Sequence, residues 1–165
     1  MRAPPLECPT TGMAGTPHEI MTAMAGDLPG TAIRIEAVGT QILERVSWDE
    51  GTLTHEPQVL GQAAHLWTRT DLTPADVQLA EMYDGFSFIT MAWLEAMGFC
   101  GHGESRAFIE GGQNIARDGG VLPLNTHGGQ LSAGRLHGYG FLHEACVQLW
   151  GEGGERQVGT PEVAV

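Results

Sequence analysis

Apolar residues recur along this chain with two different periods, and each period predicts a different element. The three-and-four spacing of a helix face runs over residues 86–97 and again over 139–149. In the second helix the spacing predicts a buried face of Tyr139, Leu142, Cys146 and Leu149. Extended or alternating apolar runs, which predict strands, occupy residues 32–38, 77–82, 121–124 and 157–165. The sequence therefore predicts an α/β chain.

Start and stop signals place the shorter elements between these. Thr73 before Pro74 and Asp76 has the pattern of a helix start, and Gly98 ends the helix of residues 86–97. Further short helices are predicted over residues 18–24, 57–67 and 105–110. Residues 1–16 are interpreted as a poorly ordered lead-in, and residues 40–55 as a binding loop or a cover over a neighbouring element.

A glycine-rich loop leads into the helix predicted from Tyr139. Its glycines give backbone freedom that a helix or strand would waste, so residues 124–138 are predicted to be irregular. The free N–H groups at the following helix N-terminus would face a phosphate, a carboxylate or an oxyanion. The loop also concentrates side chains capable of chemistry: Asn125, His127, Ser132, Arg135, His137 and Tyr139. The alternative is a connection in which Asn125 and Ser132 cap turns and the histidines are solvated.

A second candidate position follows the strand of residues 77–82. Tyr83 and Asp84 lie between that strand and the next helix, where open α/β sheets place their ligands. The alternative is that Tyr83 is packed with its hydroxyl capped and that Asp84 holds a helix N-terminus.

Composition narrows the class of protein. The 165 residues are 42% hydrophobic and 17% charged, which suits one folded domain with a sizeable core. Acidic residues outnumber basic ones 20 to 8, and the net charge of −12 argues against nucleic acid or an anionic membrane as partner.

The cysteines and the hydropathy of the chain bear on the compartment in which the protein is expected. Three cysteines with no close pair indicate neither a zinc site nor a disulfide framework, so no metal is expected and a reducing cytoplasm fits best. No stretch is long and apolar enough to predict a membrane span.

Three motifs resemble the C-terminal half of a thiolase, of the sterol-carrier-protein-type (lipid-transfer) branch. They are Glu-Met-Tyr-Asp-Gly-Phe-Ser from residue 81, Asn-Thr-His-Gly-Gly-Gln-Leu-Ser-Ala-Gly-Arg from residue 125, and Gln-Leu-Trp-Gly-Glu-Gly-Gly-Glu-Arg-Gln-Val from residue 148. The resemblance implies one βαβαβαββ half of the thiolase core, a mixed sheet with helices on its faces. It also implies an acyl-coenzyme A thioester as substrate, with no separate cofactor.

Departures from the thiolase pattern imply a different reaction. Arg135 replaces the catalytic histidine of thiolases, and an arginine stays protonated and cannot act as a base. This chain resembles the steroid side-chain aldolases of this branch at Tyr83 and at residues 46–49, 53–57 and 98–101. That resemblance implies retro-aldol cleavage of a β-hydroxyacyl-CoA. The nucleophilic cysteine of thiolases belongs to a part of the fold that this chain does not show.

The resemblance also implies roles for the candidate residues. Tyr83 and Tyr139 become the proton-transfer candidates, and His137 is a further acid–base candidate. His127 and the loop N–H groups would polarise the thioester carbonyl. The substrate-binding candidates are Asp84, Asn125, Gly128, Gly129, Ser132 and Arg135.

Two further expectations concern the extent of the domain and its assembly. Residues 1–30 are expected to precede a thiolase-like domain of residues 31–165 that is incomplete at its C-terminal end. A homodimer and a small zinc-ribbon and OB-fold partner protein are implied by the family. The alternatives are an acyltransferase (thiolase) domain or a truncated, non-catalytic binding or partner module.

Overall fold

The computed structural model describes residues 30–39 and 65–165. The chain divides into two compact units, and the larger one, Ile35–Val165, contains the elements described below. From residue 68 onward its α-helices are α1, α2, α3 and α4, at Ser87–Ala96, Ser105–Ile109, Gly129–Ala133 and Tyr139–Leu149. Short 3-10 helices lie at Pro74–Asp76, Glu110–Ile115 and Gly154–Arg156.

Three extended segments meet side by side in parallel. Leu79 pairs with Ala164 on one side, and Ala80 pairs with Leu124 on the other. The Ala80 N–H donates to Pro123 at 2.9 Å, and the Val165 N–H donates to Leu79 at 3.2 Å. The segment around residues 77–82 is therefore central, and its carboxyl end lies beside the start of the glycine-rich loop.

The pairing in the described residues consists of isolated bridges, so the complete βαβαβαββ order stays a prediction. Of the segment predicted over residues 157–165, only the last residues pair. The strand predicted over residues 32–38 is wrong, because residues 31–39 form no strand in the structure. Most of that segment is exposed, so its alternating apolar residues bury no common face.

Two local signals act as the sequence predicts, one at the start of the 3-10 helix Pro74–Asp76 and one at the end of α1. Thr73 donates its N–H and hydroxyl to Asp76 Oδ2, both at 2.7 Å, as the helix-start pattern predicts. After α1, Gly98 takes a φ of +80°. The Gly98 and Phe99 N–H groups then close the helix by donating to the carbonyls of Glu95 and Leu94.

The core lies between α1 and the paired segments. It is formed by Val77, Ala80, Met82, Leu94, Ala96, Met97 and Leu122. Trp67, at the end of a helical stretch of residues 65–67, packs against this cluster and donates its indole N–H to Met97 at 3.0 Å. Phe86, by contrast, is 51% exposed although it belongs to the apolar spacing that predicts α1.

Two predictions about the C-terminal loop and helix need correction. The loop is not wholly irregular, because residues 129–133 form the short helix α3. α4 begins at Tyr139 as predicted, but the predicted buried face is wrong: Tyr139 is 73% exposed and Leu142 is 58% exposed. The residues that α4 buries are Phe141, Glu144, Val147 and Gln148. Two of them are polar, so apolar periodicity pointed to the wrong side.

Several predictions lie outside the described residues. They are the lead-in of residues 1–16, the helix at 18–24, the loop at 40–55 and the helix from 57 to 64. The domain boundary expected at residues 30 and 31 stays a prediction.

Candidate functional site

Asn125 fixes the start of the glycine-rich loop to the end of the central segment. Its Oδ1 accepts from the Met82 N–H at 2.7 Å, and its Nδ2 donates to the Met82 carbonyl at 2.9 Å. The backbone N–H of Asn125 also donates to Ala80 at 2.9 Å, and the residue takes a φ of +50°, a conformation that asparagine tolerates. The asparagine, predicted to bind substrate, thus has its amide engaged with the backbone and positions the loop.

Asp84 holds the first turn of α3. Its Oδ1 accepts from the Gln130 N–H at 2.8 Å, so the carboxylate lies at the N-terminus of the helix. Gly129 makes this approach possible, because a Cβ at that position would overlap Asp84 Oδ2. The pair joins the Tyr83–Asp84 segment to the glycine-rich loop, as both the ligand-site and the helix-cap interpretations require.

Tyr83 and His127 converge on one aromatic ring. The centroid of Phe141, in the first turn of α4, lies 6.5 Å from that of Tyr83 and 5.3 Å from that of His127, the second pair edge to face. Tyr83 is half-buried and lies over Gly85, where a Cβ would come within 2.6 Å of the tyrosine Cζ. A phenol and an imidazole are thereby brought to the same end of the paired segments.

His127 is paired with a carboxyl that is buried under the loop. Its Nδ1 lies 2.9 Å from Oε2 of Glu81, with 11% of the histidine side chain and 1% of the glutamate side chain exposed. The two atoms are off line for an ideal hydrogen bond, and neither has another hydrogen-bond partner among the described residues. The other ring nitrogen, Nε2, lies 3.7 Å from where a Cβ on Gly140 would stand, at the start of α4.

A polar network continues from Glu81 to the far side of α4. The Thr126 N–H donates to Glu81 Oε1 at 2.9 Å, and the Thr126 hydroxyl lies 2.8 Å from both Glu81 Oε1 and Glu144 Oε1. Arg156 Nε donates to Glu144 Oε1 at 2.9 Å. Gln148 Nε2 donates to Glu144 Oε1 and to the Arg156 carbonyl, both at 2.9 Å. The network satisfies polar groups that would be costly to bury alone.

The two carboxyls of this network have opposite electrostatic surroundings. Burial, against the hydrogen bonds of Thr126 and the charge of His127, raises the pKa of Glu81. Burial also disfavours ionised Glu144, but the hydrogen bonds from Arg156, Gln148 and Thr126 outweigh it and lower the pKa of that carboxyl. Glu81 is thus the carboxyl more inclined to keep its proton.

The remaining predicted site residues lie on an exposed stretch. Ser132, Arg135, His137 and Tyr139 are all exposed in this chain, and His137 has a φ of +50°. Gly128, with a φ of +93°, precedes α3, and the Ser132 side chain lies beside it. The structure therefore gathers Tyr83, Asp84, Asn125, His127, Gly128 and Gly129, while the catalytic and binding roles predicted for all ten residues stay predictions.

The buried polar network that runs from Glu81 to Arg156 was not predicted from the sequence. Four residues of the network lay inside the quoted motifs but only as markers of family: Glu81, Thr126, Gln148 and Arg156. Glu144 lay in none of the three motifs. The available signal was the four-residue spacing of Glu144 and Gln148, two polar residues on one face of a helix.

Cys100 is poorly placed to act as a nucleophile. Burial, with Glu95 and Glu104 nearby, raises the pKa of the Cys100 thiol to about 11. At neutral pH this thiol is protonated, and the thiolate is the nucleophilic form. Within residues 30–39 and 65–165, no group of three or more histidine, cysteine or acidic side chains is placed to hold a metal ion.

Comparison with known proteins places this arrangement in a family. The model of the thiolase C-terminal domain-like family matches residues 47–165. The chain belongs to that family. It is 38% identical over 147 residues to the 17-hydroxy-3-oxo-4-pregnene-20-carboxyl-CoA lyase of Mycobacterium tuberculosis, covering 87% of this chain and 38% of the lyase. It is 33% identical to the steroid side-chain-cleaving aldolase of Thermomonospora curvata, covering 76% of this chain and 33% of the aldolase.

A solved structure, titled Ltp2-ChsH2(DUF35) aldolase, is similar with a TM-score of 0.66 and 32% sequence identity. The match covers 78% of this chain and 33% of that chain. The thiolase-like fold is therefore shown, and this chain spans about a third of the length of these relatives. Among the described residues, no helix is long and apolar enough to cross a membrane.

Proposed function

We propose that this chain is the thiolase-like C-terminal part of an enzyme that cleaves the side chain of a steroid acyl-CoA by a retro-aldol reaction. The observation that supports the proposal most strongly is the 38% identity to a lyase of this kind across 87% of the chain. Tyr83 and His127, which both pack against Phe141, are two groups able to transfer protons. They lie at the carboxyl end of the central segment, where α/β sheets bind their ligands.

The substrate class follows from the name of that relative, a 17-hydroxy steroid whose carbon 20 carries the CoA thioester. The hydroxyl is β to the thioester carbonyl. A base removes the hydroxyl proton, the bond between carbons 17 and 20 breaks, and its electron pair forms the enolate of the thioester. Protonation of the enolate then gives a three-carbon acyl-CoA, and the steroid keeps a ketone.

The local chemistry favours cleavage of this kind over thiolase chemistry. Retro-aldol cleavage needs a base and an acid but no cysteine nucleophile, and Tyr83 and His127 are groups of that kind. Arg135 stands where a thiolase has its catalytic histidine, and its permanent positive charge suits an anionic group of the thioester better than proton abstraction.

Partners form part of the proposal. The similar solved structure carries the name Ltp2-ChsH2(DUF35) aldolase, and its second component supports a partner protein for this chain. We propose a partner of the zinc-ribbon and OB-fold type, and a homodimer as implied by the family. Four large apolar side chains around α3 and α4 are more than half exposed in this chain: Leu131, Leu136, Tyr139 and Leu142. Such a group is typical of a surface that is covered in an assembly.

The proposal is tested by measuring cleavage of the CoA ester of a 17-hydroxy steroid. The chain is assayed alone, then with the N-terminal portion of the Thermomonospora relative, and then with a DUF35 partner as well. Tyr83→Phe and His127→Asn are each expected to lower kcat roughly 10²-fold or more, as for removal of an acid–base group. His143→Asn, at an exposed position of α4, is the matched control and should retain full activity.

Binding of the thioester without cleavage in any of these mixtures would instead favour the non-catalytic module. Cleavage unchanged in both Tyr83→Phe and His127→Asn would remove these two residues from the mechanism.

A further inference from the structure

Glu81 and His127 share a contact that requires a hydrogen. Glu81 Oε2 and His127 Nδ1 are buried, lie 2.9 Å apart and have no other hydrogen-bond partner among the described residues. Leaving either atom without a hydrogen bond would cost about 1–3 kcal/mol. Because the two atoms are off line, a rotation of one side chain is needed to place a hydrogen between them, and the cost of leaving both atoms unpaired favours that rotation.

The Thr126 hydroxyl shows where a second proton belongs. It lies 2.8 Å from Glu81 Oε1 and 2.8 Å from Glu144 Oε1, while Gln148 Nε2 donates to it at 3.2 Å. A hydroxyl has one hydrogen to donate. If both carboxyls were ionised, one of the two short oxygen–oxygen contacts would have no hydrogen. One of the two carboxyls is therefore protonated and donates to Thr126.

Glu81 is the carboxyl that carries this proton. Glu144 Oε1 already accepts from Arg156 Nε and Gln148 Nε2, both at 2.9 Å, and an arginine does not give up its charge. Burial raises the pKa of Glu81, in agreement with this count. With the proton on Oε1, the remaining oxygen of Glu81 is a carbonyl oxygen and can only accept. His127 then donates from Nδ1, and its Nε2 has a free lone pair.

We propose that Glu81 is a positioning residue which, as a neutral carboxylic acid, fixes His127 with its proton on Nδ1 and leaves Nε2 as the base of the reaction. Nε2 lies beside Gly140, which presents no side chain there, at the start of α4. Nε2 takes the β-hydroxyl proton as the carbon–carbon bond breaks, and the same proton can return to the α-carbon of the enolate. His127 is thus assigned proton abstraction instead of the polarisation of the thioester carbonyl that the sequence suggested.

The role of Nε2 rests on the proposed retro-aldol function, but the state of the ring can be measured without any turnover. Ring nitrogen chemical shifts of the ¹⁵N-histidine-labelled chain report which nitrogen carries the proton, and the His127 signals are assigned by their loss in His127→Asn. In the wild-type chain, at a pH where the ring is neutral, we expect Nδ1 protonated and Nε2 unprotonated.

Glu81→Gln should reverse this arrangement. Its amide oxygen takes the Oε1 position, because the Thr126 N–H points at that atom from 2.9 Å, and the proton that Glu81 shared with the Thr126 hydroxyl is lost. Its NH₂ group then replaces Oε2 and donates to His127 Nδ1, so the ring proton moves to Nε2 and kcat falls roughly 10²-fold. KM should change little, because the substituted side chain is buried away from the substrate.

Glu95→Gln is the matched control. Glu95 Oε2 lies 3.5 Å from His102 Nδ1 in a second glutamate–histidine pair, in which the histidine is 49% exposed. This variant should leave both the His127 ring signals and kcat unchanged.

Wild-type His127 protonated on Nε2, or the same ring state in wild type and Glu81→Gln, would overturn the proposal. If Glu81→Gln does not fold, the wild-type infrared spectrum decides, since a buried carboxylic acid C=O band at neutral pH is required and its absence refutes the proposal. The expected ring states without steroid cleavage would overturn the retro-aldol function and with it the role of Nε2, while the pairing of Glu81 with His127 would stand.

Discussion

Gly129 is the position where a single added methyl group should do most damage to the candidate site. Its φ is +65°, and residues other than glycine pay about 1–2 kcal/mol for the left-handed conformation. An added Cβ would also overlap Asp84 Oδ2, and crowding of this kind in a packed site costs about 1–3 kcal/mol. Gly129→Ala should therefore lower the free energy of unfolding by about 2–5 kcal/mol.

A matched glycine separates the two contributions. Gly138 has a φ of +91° and a ψ of −20°, also in the left-handed region, with nothing within 4 Å of an added Cβ, so Gly138→Ala should cost only the conformational part, about 1–2 kcal/mol. Urea unfolding followed by tryptophan fluorescence measures both variants. Asp84→Ala removes the overlapping carboxylate, so in the Gly129→Ala background it should restore about 1–3 kcal/mol through the coupling of neighbouring residues. Equal losses for the two glycine variants, or no coupling with Asp84→Ala, would refute the close approach of Asp84 to the loop.

Three further predictions test other parts of the structure. Asn125→Ala should lower the free energy of unfolding by about 1–3 kcal/mol in urea titrations, because both hydrogen bonds to the Met82 backbone are lost, and a smaller change would contradict that anchoring role. Cys100 should react slowly with iodoacetamide at pH 7, since its pKa is raised to about 11, and rapid labelling at that residue would contradict this. The pKa of Glu144 is lowered by Arg156 and its other hydrogen-bond donors, so its stabilisation should be complete above the ordinary value of 4.5 and fade as the pH falls through the lowered value. Glu144→Gln should flatten that acid dependence in urea titrations, and an unchanged pH profile would contradict the ion pair.

Elements encoded by neighbouring residues could be predicted from the sequence. The ends of α1 and α4 follow from apolar spacing and from glycines that close the last turn, and the cap at Thr73 needs only Asp76 three residues later. The strand predicted over residues 32–38 failed because alternation alone does not provide a partner segment.

The buried face of α4 could not be predicted in this way, for a physical reason. Apolar periodicity assumes that polar residues face water, yet Glu144 and Gln148 are buried because Thr126 and Arg156 satisfy them. Thr126 lies 18 residues before Glu144, so no local pattern reveals the contact.

The sequence allowed several residues of the candidate site to be predicted, but not the contacts between them. Asp84 was singled out because it follows a predicted strand, and Asn125 because it lies in the glycine-rich loop. The parallel pairing of Ala80 with Leu124 brings the two segments together. His127 follows one of these two paired segments and Glu81 lies on the other. Their contact depends on the face of the segment to which the Glu81 side chain points. Glu81 lies in the motif that begins at residue 81 and His127 in the one that begins at residue 125, and neither motif indicates their contact.

The central claim is tested most directly by the products formed from a 17-hydroxy-3-oxo-4-pregnene-20-carboxyl-CoA substrate when no free coenzyme A is added. The assembled enzyme should release the 17-ketosteroid and a three-carbon acyl-CoA in equal amounts, measured by liquid chromatography and mass spectrometry. Cleavage that depends on added coenzyme A would show thiolase chemistry, and intact substrate bound to the assembly would show a binding module. Either result would contradict the retro-aldol function proposed for this chain.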